Sequence, residues 1–190
     1  INVINMSVGE PDFMTPDHVK EAGKRAIDDN FSKYSPVPVY LSLRKAIANK
    51  LKRENNLNYS ASEVIVGTGG KQGVCNTILA LVNPGDEVII PAPYWVSYPQ
   101  MVKLAGGEPV IVSAGIEQDF KVTADQLKAA ITSKTKLIIL CSPSNPTGSV
   151  YTKEELEALA KIVLEHNDLF VLSDEIYEHL NYIGCHASIA

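Results

Sequence analysis

The chain has 190 residues, 45% of them hydrophobic and 21% charged, with a formal net charge of −5. That is the size and composition of a globular domain with a buried core. Charges of both signs are interspersed without a basic stripe, no apolar run reaches membrane-spanning length and the N-terminus does not read as a signal peptide, so neither a nucleic-acid nor a membrane partner is expected.

The elements alternate along the chain. Thr15-Pro16 opens a helix whose apolar face is Val19, Ala22, Ala26 and Ile27. Leu43, Ile47 and Leu51 mark a second helix. EVIVG (63–67) reads as a short strand, followed by TGGKQ and a helix through Val74, Ile78 and Leu81. The turn at Pro84-Gly85 leads into the strand EVIIP. Tyr98, Met101, Val102 and Ala105 then give a helix, and PVIV (109–112) a strand. Thr123 to Gln126 is a capping box for a helix carrying Leu127 and Ile131. KLIILC (136–141) is a fully apolar strand, and Thr152 to Glu155 a second capping box for a helix through Leu156, Leu159, Ile162 and Val163. LFVLS (169–173) is the last clear strand.

Continuous apolar strands between amphipathic helices predict an α/β fold: three layers, α/β/α, around a mostly parallel mixed sheet. Cys75, Cys141 and Cys185, with His18, His166, His179 and His186, show no metal-ligand spacing. They read as structural or surface residues of a reducing compartment, and no metal is expected. The chain opens on Ile1 in an extended apolar segment, as an excised piece of a larger protein would.

Four strands end in chemically distinctive residues. Gly67-Thr68-Gly69-Gly70-Lys71 follows one, Pro91-Ala92-Pro93-Tyr94-Trp95 a second, Ser142 to Gly148 (SPSNPTG) a third and Ser173-Asp174-Glu175 a fourth. Open α/β sheets bind ligands beyond the carboxyl ends of their strands. Each feature also has a plain reading: a tight turn, a core tryptophan, loop chemistry and a helix cap. Together they fit pyridoxal 5'-phosphate (PLP). The glycine turn would cradle its phosphate, Trp95 would stack on its ring, and Asn145 and Tyr177 would bond its phenolic oxygen. Asp174 would keep its pyridine nitrogen protonated, with a helical turn bringing Asp174 and Tyr177 to one side.

GEPDF, KYSP, GTGGKQ, PYWVSYP, SPSNPTG and SDEIYEHL, in this order, resemble the class I/II PLP-dependent aminotransferases, and most of all the bacterial aspartate aminotransferases. The resemblance runs over essentially the whole chain. It implies that Asp174 is the acid on the pyridine nitrogen, that Tyr177 and Asn145 serve the phenolic oxygen, and that Gly69, Gly70 and Lys71 lie beside the phosphate. Lys71 is implied to lie near a substrate's distal carboxylate, Trp95 to stack on the ring and Gly9 to contact the α-carboxylate. Substrate contacts are thus expected at Gly9, Lys71, Trp95 and Asn145. Tyr34 is implied to reach the phosphate of a neighbouring subunit, hence a homodimer. Ala92-Pro93 and Asn145-Pro146 match positions where the family uses cis peptides.

By the same resemblance, residues 1–38 belong to a small-domain or crossing segment and 39–190 to the large PLP-binding domain. The implied activity is amino-group transfer from L-aspartate or a similar amino acid to 2-oxoglutarate, in a cytoplasmic enzyme. Aromatic or prephenate-type transamination is the alternative, as is a non-catalytic dimerisation or regulatory module. A nucleotide-binding domain is disfavoured by the lack of either phosphate-loop fingerprint. The family's Schiff-base lysine lies beyond SDEIY and outside these residues, as do the arginines for phosphate and α-carboxylate. Lys71 and Lys153 do not match that lysine, so no catalytic residue is assigned and the chain alone is expected to be inactive. Val39 stands where the family usually has glycine, and Leu41 where it has proline, which predicts strain at the entry to the second helix.

Overall fold

The computed structural model describes residues 3–4 and 13–190. Contacts divide the chain into two units, Ile1–Tyr40 and Leu41–Ala190.

In the first unit, helix α1 spans Asp17–Asp28 with Pro16 as its N-cap residue. Asp17 in its first turn and Arg25 in its last complement the helix dipole. The helix forms where the periodicity predicts, but none of its residues is buried, contrary to the expected apolar packing face. A segment of about 40 residues holds too little apolar surface to close a core. Val39 adopts φ +71°, with its amide donating to Pro36 O at 2.7 Å. This is the left-handed region, which a β-branched side chain disfavours by about 1–2 kcal/mol. The strain expected from the sequence is therefore present. Val39→Gly is expected to raise stability by up to about 1 kcal/mol, the relief being offset by about 0.5–1 kcal/mol of glycine chain entropy. A lower urea midpoint would show that Val39 carries no strain.

The second unit holds α2 (Leu41–Asn55), α3 (Gly70–Leu81), α4 (Ser97–Leu104), α5 (Ala124–Ala130) and α6 (Lys153–Val163). Its strands are β1 (Glu87–Ala92), β2 (Glu108–Ser113), β3 (Thr135–Cys141) and β4 (Phe170–Asp174). Both predicted capping boxes are present, with Thr123 and Thr152 accepting from the amides of Gln126 and Glu155. The predicted strand at 63–67 does not form. Ser60 and Glu63 cap a single 3-10 turn, and Val64 continues extended without entering the sheet. Extended backbone becomes a strand only with a ladder partner. Here Val64 is buried while Ile65 is 80% exposed.

The described strands pair in the order β2-β1-β3-β4, every pair parallel. Alternate side chains go to opposite faces. Val88, Ile90, Leu137, Ile139 and Leu172 pack with α3 and α4, while Ile89, Ile138 and Leu140 pack with α5 and α6. Helices on both faces explain why the strands read as unbroken apolar runs. They also give the three-layer α/β/α architecture expected from the sequence.

Candidate functional site

The strand order fixes where a ligand can sit. From β1 the chain moves outward to β2, then returns across β1 and runs outward the other way through β3 and β4. The winding reverses between β1 and β3, and the crevice beyond their carboxyl ends is the preferred ligand site of such sheets. Cys141 is level with Asp174 in the β3–β4 register. The β1–β3 offset at Ile89 and Ile138, carried forward, puts Ala92 beside Cys141. The loops carrying Trp95, Asn145 and Asp174 therefore leave the sheet at one level.

Side chains connect them. Tyr98, 2% exposed, donates its hydroxyl hydrogen to Asp174 Oδ2 at 2.7 Å. Asp174 Oδ1 accepts from the Ile176 amide at 3.3 Å, so the expected cap is of a turn and not of a helix. That turn is closed by the Glu178 amide on Glu175 O at 3.0 Å, and Tyr177 lies within it. Trp95 meets Tyr98 edge to face at 5.3 Å between centroids. Lys71 Nζ lies 5.0 Å from the centre of the Trp95 ring, within cation–π range. Burial above all, then the neighbouring Cys141 and Asp174, pushes the Tyr98 hydroxyl far above the usual tyrosine range. Tyr98 therefore stays protonated and acts only as a donor to the acid. Burial likewise pushes the Cys141 thiol up.

Gly69 is the N-cap residue of α3, at φ +82° and ψ 160°, a conformation suited to glycine. A Cβ there would meet nothing within 4 Å, so the space before the helix is open. Gly69 O accepts from the Gln72 and Gly73 amides, and the Gln72 side chain reaches back to the Thr68 amide. The first amides of a helix have no intrahelical acceptor and point outward, as an anion requires. Gly70 approaches the turn after β4: a Cβ on it would lie 3.9 Å from Ile176.

The loop SPSNPTG closes on itself through Ser144 N to Ser149 O and Gly148 N to Ser144 O, both 2.9 Å. Asn145 is half-buried there and shares a small crevice with Tyr98 and Cys141. The expected cis peptides at Ala92-Pro93 and Asn145-Pro146 are present, and Ser142-Pro143 is cis as well. A broader cavity of about 530 Å³ between α3 and α4 takes in Lys71, Gln72, Ser97 and Gln100.

Of the residues singled out from sequence, Trp95, Asn145, Asp174 and Tyr177 follow the ends of β1, β3 and β4, while Gly69, Gly70 and Lys71 open α3 after a segment that forms no strand, with Gly70 close to Ile176 and Lys71 over Trp95. Tyr34 lies in the first unit with its side chain fully exposed. Gly9 lies outside the described residues. Sequence reasoning missed Tyr98, which it took only as an apolar helix position. The available signal was its hydroxyl: a buried tyrosine needs a partner, and Tyr98 stands three residues after Trp95. It also missed the partners of Glu175. This carboxylate accepts from Ser173 Oγ at 2.8 Å and Ser188 Oγ at 2.6 Å, and lies 2.8 Å from His186 Nε2.

The arrangement is that of an α/β domain with an acid at the end of β4 and an open helix N-terminus beside the turn that follows it. Its family follows from comparison: the profile for aminotransferase class I and II matches residues 1–189, and the chain belongs to that family. It is 56% identical to an aspartate/prephenate aminotransferase of Cereibacter sphaeroides, covering 94% of this chain and 45% of that protein. It is 53% identical to an aspartate aminotransferase of a Bacillus species, over 100% of this chain and 48% of the other. Among solved structures it is similar to the aspartate aminotransferase from Thermus thermophilus with maleate, at 50% identity and a TM-score of 0.93, covering 96% of this chain and 47% of that one. The aromatic aminotransferase from Pyrococcus horikoshii superposes with a TM-score of 0.93 at 46% identity, covering 96% and 49%. The chain therefore spans about half the length of the relatives it matches.

Proposed function

We propose that the protein carrying this chain is a PLP-dependent aminotransferase that moves an amino group from L-aspartate or a similar amino acid to 2-oxoglutarate. The observation that carries this reading is the carboxylate of Asp174, held by Tyr98 and the Ile176 amide beyond the end of β4. A carboxylate accepts about four hydrogen bonds. Two come from the described residues, which leaves room for a protonated ring nitrogen. When bound, PLP supplies the electron sink that makes amino-group transfer possible.

The chain's residues would do the rest. The amides at the start of α3, beside Gly69 and Gly70, would hold the phosphate. Trp95 would cover one face of the ring, and Asn145 and Tyr177 would bond its phenolic oxygen. Lys71, placed by its contact with Trp95, would attract a substrate's distal carboxylate. The Thermus relative was crystallised with maleate, a dicarboxylate, which accords with an acidic substrate. Gly9 would contact the α-carboxylate. Tyr34, its ring fully exposed in the first unit, would reach the phosphate site of a second copy in a homodimer. Residues 1–38 would belong to a small-domain or crossing segment and 39–190 to the cofactor domain. No helix among the described residues is long and apolar enough to cross a membrane, which accords with a cytoplasmic enzyme.

Neither Lys71 nor Lys153 matches the position at which the resembled family carries its Schiff-base lysine. Lys71 lies over Trp95, and Lys153 is an exposed residue of α6 near Glu157. The 190 residues by themselves are therefore proposed to be inactive. The prephenate in the name of the Cereibacter relative supports a second reading, in which an aromatic or prephenate-type oxo acid is also accepted.

The test is a PLP titration of the protein at its natural length, followed by tryptophan quenching with circular dichroism alongside. Saturable quenching is expected, together with turnover of aspartate and 2-oxoglutarate. A folded protein that neither quenches nor transaminates would overturn the reading. Faster turnover of prephenate than of 2-oxoglutarate would favour the second.

A further inference from the structure

Resting on that reading, we infer that Glu175 is a positioning residue: together with Ser188 and His186 it fixes the carboxylate of Asp174. β4 ends at Asp174, the last residue of its ladder, whose carbonyl accepts from the Ser142 amide at 3.2 Å; the backbone is paired up to this point, and the direction of the side chain is left to its neighbours. Ser173 and Glu175, the neighbours on either side, are bonded to each other at 2.8 Å, so Asp174 is held between them.

Glu175 is in turn anchored to chain more than ten residues away. Ser188 Oγ donates to the same oxygen at 2.6 Å, and His186 Nε2 is 2.8 Å from the other. An ionised carboxylate only accepts, so the imidazole donates through Nε2. The His186 side chain is 10% exposed and that of Glu175 is 21% exposed, so water screens the pair poorly. The far end of the turn is anchored too. Glu178 is ion-paired with Lys50 of α2 and accepts from Asn55 Nδ2 at 3.0 Å. Burial raises the Glu178 carboxyl, but the bonds from Lys50 and Asn55 outweigh it and hold the group below the usual range. The segment bearing Asp174 and Tyr177 is thus fixed at both ends. The two adjacent acids also part company: Asp174 turns to Tyr98 and Glu175 to Ser188 and His186.

A residue acting through Asp174 differs measurably from one that only supports the fold. The natural-length protein is made with Glu175→Ala, Ser188→Ala and Ser188→Thr, each alone and combined with Asp174→Asn. The PLP dissociation constant is read from tryptophan quenching, and the melting temperature is recorded for each. Glu175→Ala is expected to weaken PLP about tenfold, the scale on which orienting partners of ligand-binding groups act. Ser188→Ala is expected to weaken it about threefold, less than one hydrogen bond to a charged group is worth because Ser188 reaches Asp174 only through Glu175, with Ser188→Thr restoring it. Neither change should weaken binding further once Asp174 is already asparagine, because coupled residues are non-additive. Unchanged affinity, or equal losses in both backgrounds, would overturn the inference and leave Glu175 a fold residue. If Glu175→Ala does not fold, the Ser188 pair decides by the same criterion. A wild-type protein that binds no PLP would remove the aminotransferase reading and this inference with it, whereas binding with additive losses removes the inference alone.

Discussion

Asp174→Asn in the natural-length protein is expected to slow amino-group transfer by about 10²–10³-fold, the scale of removing one preorganised electrostatic partner. The fold should be little changed. Asparagine keeps an oxygen that can accept from Tyr98, whose 2.7 Å bond is the shorter of the two made by the acid. The 3.3 Å bond from Ile176 is the one at risk, worth about 1 kcal/mol. What asparagine cannot supply is negative charge, and in the proposed role the ring nitrogen of bound PLP would then lack the partner that keeps it protonated. The measurement is kcat/KM for aspartate and 2-oxoglutarate, with thermal melting beside it. A loss below about tenfold would remove Asp174 from its proposed role. A large fall in melting temperature would assign the residue to the fold. Tyr98→Phe should follow in the same direction with a smaller loss, since the charge remains and only its orientation is freed.

How much of this was visible in the chain depended on the range of the interactions involved. Local signals carried well. The capping boxes at Thr123 and Thr152 involve residues three apart, and both formed. The apolar strands around Ile89, Ile138 and Leu172 were legible because burial on both faces leaves no polar position. The strand at 63–67 failed because its sequence specifies extension but not a partner, and only Val64 found burial.

The candidate site was legible as residue types after β1, β3 and β4, because parallel sheets place those ends together, whereas the glycine turn opens α3 without a strand before it. Its internal wiring was not. Tyr98 and Asp174 are 76 residues apart, and Glu175 and His186 are 11 apart with no periodic element between them. Neither spacing leaves a pattern. Val39 is the opposite case. A single residue type at a position expected to need glycine predicted a strained backbone, and the positive φ is there.

The other large effect concerns stability, and it separates the two sides of the sheet. Leu137 and Ile138 are consecutive and both buried in β3, but they belong to different layers. Leu137 packs in the cluster that holds Tyr98 and Leu172, beneath the α3–α4 face. Ile138 packs in the cluster under α5 and α6. Truncating either to alanine removes similar volume from a closed core and is expected to cost about 2–5 kcal/mol. That is a large part of the 5–15 kcal/mol that holds an ordinary domain. Urea unfolding should show comparable losses for Leu137→Ala and Ile138→Ala. PLP affinity should not. Leu137 shares its cluster with Tyr98, so looser packing there is expected to free the hydrogen bond to Asp174 and to weaken binding severalfold in the protein that remains folded. The cavity left by Ile138 opens on the far side of the sheet, where no proposed cofactor contact lies. Equal affinity in the two variants would mean that the packing behind Tyr98 does not set the position of the acid. The link from core to site would then run through the backbone of β3 and β4 alone.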